Sequence, residues 1–245
     1  MLAAVVLAPA PLFTALVATA TGWGLYEVAL MSARGRLSLI VMLLVAGGLP
    51  TAWALAVGAP RWMVPAAVIA AMVGLTAWVA VEGARASAGA LLNSLLGALY
   101  VGVLFPYFAL LRNRQGGVKL TIVILLLVAA SDSGAYFVGN RYGRTKLLPK
   151  VSPGKTVAGA VGSLLSSLLA MAVMRRALAI GDGLGQAMAL AAAVNVMAQA
   201  GDLAESALKR LAGVKDSGWI FPGHGGLLDR ADSLLFAAVF TYYCF

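Results

Sequence analysis

Residues 118–138 read VKLTIVILLLVAASDSGAYFV, twenty-one positions with one base at the start and one acid, Asp132, two-thirds of the way along. A membrane span needs about 20 mostly apolar residues, and this run meets that length almost without charge. Hydrocarbon offers a backbone no hydrogen-bond partners, so the segment must satisfy its own N–H and C=O groups and is expected to be a helix. Working outward, runs of the same kind lie at 2–31, 37–58, 62–81, 89–111, 157–180 and 184–200, with a shorter one at 232–245. Alanine, leucine and valine dominate them, and the period-2 alternation of a membrane barrel strand is missing. The expectation is an all-α, polytopic transmembrane helical bundle of about eight spans, with about seven to nine allowed by the soft boundaries. Pro9 and Pro11 either kink the first run or divide it.

Composition agrees. Hydrophobic residues are 62% of the 245 and charged residues 11%, with a mean hydropathy of +0.93. Soluble domains are about 45–50% apolar and about 25% charged, so a soluble fold is excluded. The net charge of +9 could point to nucleic acid, but the bases sit in short loops between apolar runs. That is how membrane proteins fix their orientation, so no nucleic-acid partner is expected. Cys244 is the only cysteine, which rules out an intrachain disulfide. MLAAVVLAPAPLF at the N-terminus has no basic region ahead of its apolar stretch, and is expected to be the first membrane segment, not a cleaved signal. The whole of 1–245 reads as one integral membrane domain, with N-terminal helices over 1–117 and a catalytic half over 118–245.

Counting eight spans, the loops after odd-numbered spans hold Arg34, Arg36, Arg85, Arg141, Arg144, Lys146, Lys150, Lys155, Lys209, Arg210, Lys215 and Arg230. In or beside the loops after even-numbered spans lie only Arg61, Arg112, Arg114, Lys119, Arg175 and Arg176. Twelve against six puts the 139–155 and 201–231 loops together on the cytoplasmic side of the cell (inner or plasma) membrane.

Only nine acids exist, and Asp202, Glu205, Asp216, Asp229 and Asp232 fall in one stretch with the sole histidine, His224, and with Lys209, Arg210, Lys215 and Arg230. Carboxylates beside cations suit a Mg²⁺-nucleotide, hard oxygens for the metal and bases for phosphate oxygens. Asp132, inside an apolar run, would be costly unless it faced a cavity or found a partner. Glu27, near Trp23 and Tyr26 at the end of its run, reads as interfacial and outside the site.

From Ser206 the chain runs SALKRLAGVKDSGWIFPGHGGLLDRAD to Asp232. This closely resembles the signature of phosphatidate cytidylyltransferases, the CDP-diacylglycerol synthases, with Ala231 where the family has a larger apolar residue. Upstream, SDSGAYFVGNRYGR at 131–144 is similar to that family's [ST]D[ST]xAYxxGxxxG[KR] stretch, and SPGKTVAG at 152–159 to its SPKKTxEG stretch. Gly154 stands there for a lysine and Ala158 for a glutamate. The Gly154-Lys155-Thr156 triplet is not a P-loop, because Pro149 occupies the position of the first glycine and no strand is expected before it.

The resemblance implies transfer of CMP from CTP to phosphatidate, giving CDP-diacylglycerol and pyrophosphate in phospholipid biosynthesis. It implies Asp202 and Asp229 as ligands of Mg²⁺, with K⁺ as a candidate second cation, and it suggests a homodimer. Asp232, one helical turn beyond Asp229, is a further metal candidate. Lys209, Arg210 and Arg230 are candidates for the triphosphate or the lipid headgroup. His224 between glycines suits phosphate hydrogen bonding, with Gly225 and Gly226 allowing close backbone approach. Asp132, Ser152, Lys155, Thr156, Lys215 and Asp216 complete the substrate-binding candidates, although Lys215 and Asp216 could simply pair. Two other readings stand beside this one: a CTP-dependent lipid kinase of the polyprenol type, and an inactive relative, the latter prompted by Gly154 and Ala158. A transporter is disfavoured because no internal repeat is visible.

Overall fold

The computed structural model describes residues 2–31, 90–178, 183–220 and 225–244. The expected spans at 37–58 and 62–81, and His224, lie outside the described residues. Helices α1 (Leu2–Leu7), α2 (Ala10–Met31), α3 (Ala90–Leu104), α4 (Tyr107–Asn113) and α5 (Gly117–Tyr142) lead to a hairpin of β1 (Lys146–Leu148) and β2 (Ser152–Thr156). Helices α6 (Val157–Leu178), α7 (Leu184–Ala212) and α8 (Leu228–Cys244) follow. Among the described residues, four stretches are long and apolar enough to cross a membrane: Leu96–Asn113, Gly117–Tyr142, Val157–Arg176 and Leu184–Ala212.

Proline decides two of the breaks. The first run is divided, with Pro9 between α1 and α2, and the run at 89–111 is interrupted at Pro106 between α3 and α4. A proline ring clashes with the preceding turn and removes a donor, so an uninterrupted helix is not available at either place. Two other boundaries differ from the expected ones. Helix α7 does not stop at 200 but continues to Ala212. Asp202, Glu205 and Lys209 fall on one side at spacings of three and four, where the buried Glu205 and Lys209 pair with each other. Ala204, Ala207 and Leu208 are buried as well, and Arg210 turns to the hairpin. Gly213 then ends it at φ 72°, with the Gly213 amide bonded to Arg210 O and the Val214 amide to Lys209 O. In addition, the 139–155 stretch holds a short antiparallel hairpin that hydropathy could not announce, pairing Lys146 with Thr156 and Leu148 with Ser152. A strand therefore does precede the Gly154-Lys155-Thr156 triplet, which itself lies in β2.

Lipid tails are as apolar as leucine, so membrane helices associate through close packing and hydrogen bonds more than through hydrophobic burial. Both devices occur here. Helices α5 and α6 meet through small residues, with Gly134 against Ser166 and Gly162, and Gly139 against Gly159. Between α5, α6 and α7, the buried Asn195 amide nitrogen lies 2.9 Å from Ser131 Oγ, 2.7 Å from Ser163 Oγ and 3.1 Å from Ser167 Oγ. Gln199 Nε2 donates back to Asn195 Oδ1 at 2.7 Å. On the other side of α7, Gly201 lets the backbone of α8 approach at Asp232. Tyr100 of α3, fully buried, stacks edge-on against Phe236 and donates to the Asp232 carbonyl at 3.3 Å. The site-bearing residues thus hang on α7, with α5, α6 and α8 packed around it.

Candidate active site

Helix α7 carries the charges. From Asp202, three residues lead to Glu205 and four more to Lys209, so the three lie on one face. Lys209 Nζ pairs with Glu205 on its own helix and with Asp229 Oδ1 on α8 at 2.6 Å. These side chains are sealed, at 11% exposure for Lys209, 1% for Glu205 and 11% for Asp229. Asp202 makes a second bridge, Oδ2 to Lys155 Nζ of β2 at 2.6 Å, and this pair is more open at 31% and 25%. The sealed pair fixes α7 to α8, whereas the second pair is part-exposed along its side chains, with the Lys155 ammonium nitrogen itself covered.

Asp229 is the most heavily bonded carboxylate. Its Oδ2 accepts from the Ser217 amide at 2.9 Å, the Ser217 hydroxyl at 2.9 Å and the Gly226 amide at 2.7 Å. Gly225, at φ 80°, turns the chain so that the Gly226 amide points back at it, a conformation favourable only to glycine. Asp229 stands ahead of the apolar run that begins at 232. Burial works against its ionisation, but the Lys209 ammonium and the amides of Gly226 and Ser217 more than offset this, so its carboxyl is held below the usual range.

A cavity of about 340 Å³ opens beside the Asp202–Lys155 pair. Asp132, Tyr136 and Asn140 line it from α5, Lys155 and Thr156 from β2, and Asp202 from α7, with Ser131, Ser163 and Gln199 of the intramembrane polar network also in its wall. Asp202 lies close enough to Asp132, Asp232 and Glu205 for their charges to repel, while Lys155 and Arg230 attract Asp132. Concentrated negative charge with cations inside it is a field that a metal–phosphate complex would relax.

The sequence candidates separate into groups. Asp132, Lys155, Thr156 and Asp202 share the cavity, and Thr156 Oγ1 also caps α6 by accepting the Gly159 amide at 3.1 Å. Lys209, Asp229, Gly225 and Gly226 form the sealed cluster. Asp232 faces Asp202 electrostatically. Arg210 is committed elsewhere: Nε donates to Val151 O at 3.1 Å and a terminal nitrogen to Val214 O at 3.0 Å, tying the hairpin to the end of α7. Ser152 lies in β2 but not in the cavity wall. Lys215 and Asp216 are exposed, and no ion pair joins them among the described residues.

Two acids matter more than the sequence suggested. Glu205 is buried at the centre of the sealed cluster. Glu27 is no exposed surface acid: it is 1% exposed, accepts from Trp23, Leu227 and Leu228, and lies 3.2 Å from the Ser217 hydroxyl. The signal was present, because an acid within an apolar run is as costly at position 27 as at Asp132 and needs donors in the same way.

Whether these residues fit a divalent cation can be judged from their donors. Asp202, in the cavity wall, paired with Lys155 through Oδ2 and accepting the Ser206 hydroxyl at 3.5 Å through Oδ1, offers hard oxygens of the kind Mg²⁺ takes. Asp229 offers only Oδ1, and only if Lys209 gives way, because three donors occupy Oδ2. Among the described residues, no three histidine, cysteine or acidic side chains converge as a ready-made cation site. The donor set therefore fits a metal that brings substrate phosphates as its remaining ligands.

Comparison with known proteins bears on what the cavity receives. The sequence model of the cytidylyltransferase family matches residues 1–245. A phosphatidate cytidylyltransferase of Bacillus subtilis is 42% identical over 149 residues, 60% of this chain and 55% of that protein. The Staphylococcus epidermidis protein of the same name is 40% identical over 142 residues, 58% of this chain and 54% of its own length. An Escherichia coli protein named uncharacterized protein YnbB is 43% identical over 132 residues, 54% and 44% of the two chains. In each case the matched part spans about half the relative's length.

Proposed function

The chain belongs to the cytidylyltransferase family, and from that premise we propose that it transfers the cytidylyl group of CTP to phosphatidate, releasing pyrophosphate and forming CDP-diacylglycerol. The observation that carries this reading is the cavity in which Asp132, Asp202 and Lys155 meet, beside the Lys209–Asp229 cluster. A phosphate oxygen of the lipid forms a bond to the α-phosphorus of CTP. The bond from that phosphorus to the α–β bridging oxygen breaks, and pyrophosphate leaves with the electron pair. The nucleophile is already an anion, so no strong base is required, and none of the described carboxylates is needed as one. The obstacle is repulsion between two polyanions, and positioning with charge neutralisation overcomes it.

Lys155 is the first residue on which that task falls. It pairs with Asp202 at the cavity wall and so brings a positive charge to the place where phosphate oxygens would enter. Arg230, exposed and near Asp132, supplies a second positive charge at the mouth. Mg²⁺, held by Asp202 and Asp232, and by Asp229 Oδ1 if Lys209 yields it, would draw charge from the phosphoryl oxygens; K⁺ is the candidate second cation. Lys209 keeps Asp229 in place and ionised. Gln199, Ser131 and Ser163 give the inner wall hydrogen-bonding groups for a substrate reaching into the membrane.

The finer topology belongs to the same proposal: about eight spans in the cell membrane, with the hairpin and the 213–227 loop on the cytoplasmic side. A homodimer is part of it, and nucleic acid has no place in it. Purified protein in detergent, with Mg²⁺, phosphatidate and CTP labelled at either the α or the γ phosphorus, tests the reaction. Label from the α position alone is expected in the lipid. Transfer of the γ label alone would mean a lipid kinase, and transfer of neither would mean an inactive relative.

A further inference from the structure

We propose that Glu27 is a positioning residue of the transfer site, acting on Asp229 through the loop that connects α7 to α8. This deepens the functional reading above and rests on it. Glu27 belongs to α2, and apart from Trp23 on its own helix its partners lie 190 to 201 residues away in sequence. Its Oε1 accepts the Leu227 amide at 2.8 Å and the Trp23 indole N–H at 3.0 Å, and its Oε2 accepts the Leu228 amide at 2.9 Å; the Ser217 hydroxyl, 3.2 Å from Oε2, shares its one proton between that oxygen and Asp229 Oδ2.

Every one of those groups is a donor, and no cation pairs with Glu27 among the described residues. Two of the donors are amides at the start of α8, where a helix leaves N–H groups without internal partners and favours negative charge. An acceptor-only carboxylate fits this nest, whereas an amide in its place would aim an NH₂ group at N–H donors. The loop has also made room for it. A Cβ on Gly218 would stand 2.8 Å from Oε1, and one on Gly226 2.6 Å from Oε2.

The link to Asp229 is direct. The Ser217 hydroxyl that approaches Glu27 lies 2.9 Å from Asp229 Oδ2, and the amides of Ser217 and Gly226 bond to that same oxygen. Glu27 therefore grips both ends of the loop that supplies all three donors to Oδ2. With that grip loosened, Oδ2 loses its fixed donors and Asp229 can drift from the place where Lys209 and the substrate phosphates require it.

The test uses the full chain in detergent, comparing wild type with Glu27→Gln. Three quantities are measured: turnover, the Mg²⁺ concentration giving half-maximal rate, and amide hydrogen exchange. Loss of charge-assisted hydrogen bonds predicts turnover lower by about ten- to a hundredfold. The Mg²⁺ requirement should rise by about tenfold, and faster exchange should be confined to peptides covering 217–230. Wild-type turnover, Mg²⁺ requirement and exchange in the variant would overturn the inference. So would exchange rising in every helix with a rate loss that tracks the folded fraction, because Glu27 would then be structural only. If the Gln variant cannot be recovered folded, Ser217→Ala replaces it, and the inference requires the same rise in Mg²⁺ requirement; an unchanged value overturns it. A wild-type protein that transfers no cytidylyl group would sink the functional reading instead, while the exchange pattern would still decide whether the grip exists.

Discussion

Asp202 and Asp229 are both paired with lysines, but their surroundings give substitutions there opposite readouts. Lys209 is sealed between Glu205 and Asp229. Lys209→Ala would leave two buried carboxylates uncompensated, and breaking a buried pair in this way costs about 3–5 kcal/mol. A large fall in thermal midpoint is therefore expected in a melting experiment. Lys155 and Asp202 are several-fold more exposed, so Lys155→Ala should shift the midpoint little and instead raise the KM for CTP, measured by initial rates, by about tenfold. Gly154 adds a gain-of-function test. A side chain built there would begin in open space at the cavity wall, so Gly154→Lys should fold normally. A new cation at the mouth should then lower the KM for CTP about two- to fivefold at low salt, with the gain fading as salt rises.

At the scale of the element, the intramembrane polar network holds α5, α6 and α7 in register under the cavity. Interhelical hydrogen bonds in membranes are worth about 0.6 kcal/mol each on average. Asn195→Leu removes three near contacts and leaves Gln199 Nε2 only its longer contacts to Ala160 O at 3.5 Å and Ser163 Oγ at 3.4 Å, so it should lower stability by about 1–3 kcal/mol in detergent unfolding. The sequence shows why these helices exist but not how far they extend. Hydropathy ended α7 at 200, because it averages over all sides of a helix, whereas the charges of Asp202, Glu205 and Lys209 lie on one side only. It was blind to the hairpin as well, since three- and five-residue strands carry too short a pattern to stand out. Of the two prolines read as a kink or a break in the first run, Pro9 marks the division and Pro11 sits in the first turn of α2, while the break at Pro106 was passed over in the run at 89–111.

Across the whole molecule, the candidate residues that the fold gathers around the cavity stood out in the sequence as charge against an apolar background, as with Asp132, Asp202, Glu205, Asp229 and Asp232. Their partnerships were not legible, because Lys155 to Asp202, Lys209 to Asp229 and Glu27 to the 217–228 loop are long-range contacts set by helix packing. An N-terminal helix reaching into the site also crosses the division at 117 that sequence suggested. The lone cysteine gives a test of orientation. Cys244 is exposed at the far end of α8 from Asp229, so a membrane-impermeant thiol reagent should label it from one face. A cysteine introduced at exposed Lys146 in a Cys244→Ser background should be labelled from the other. Labelling of both from the same face would refute the arrangement. The account as a whole rests on Asp202 at the cavity, and its most direct test is the initial rate of label transfer from α-labelled CTP to phosphatidate by purified Asp202→Asn and wild type. The expected result is a rate at least about a hundredfold lower with an unchanged thermal midpoint, and a rate within about twofold of wild type would contradict it.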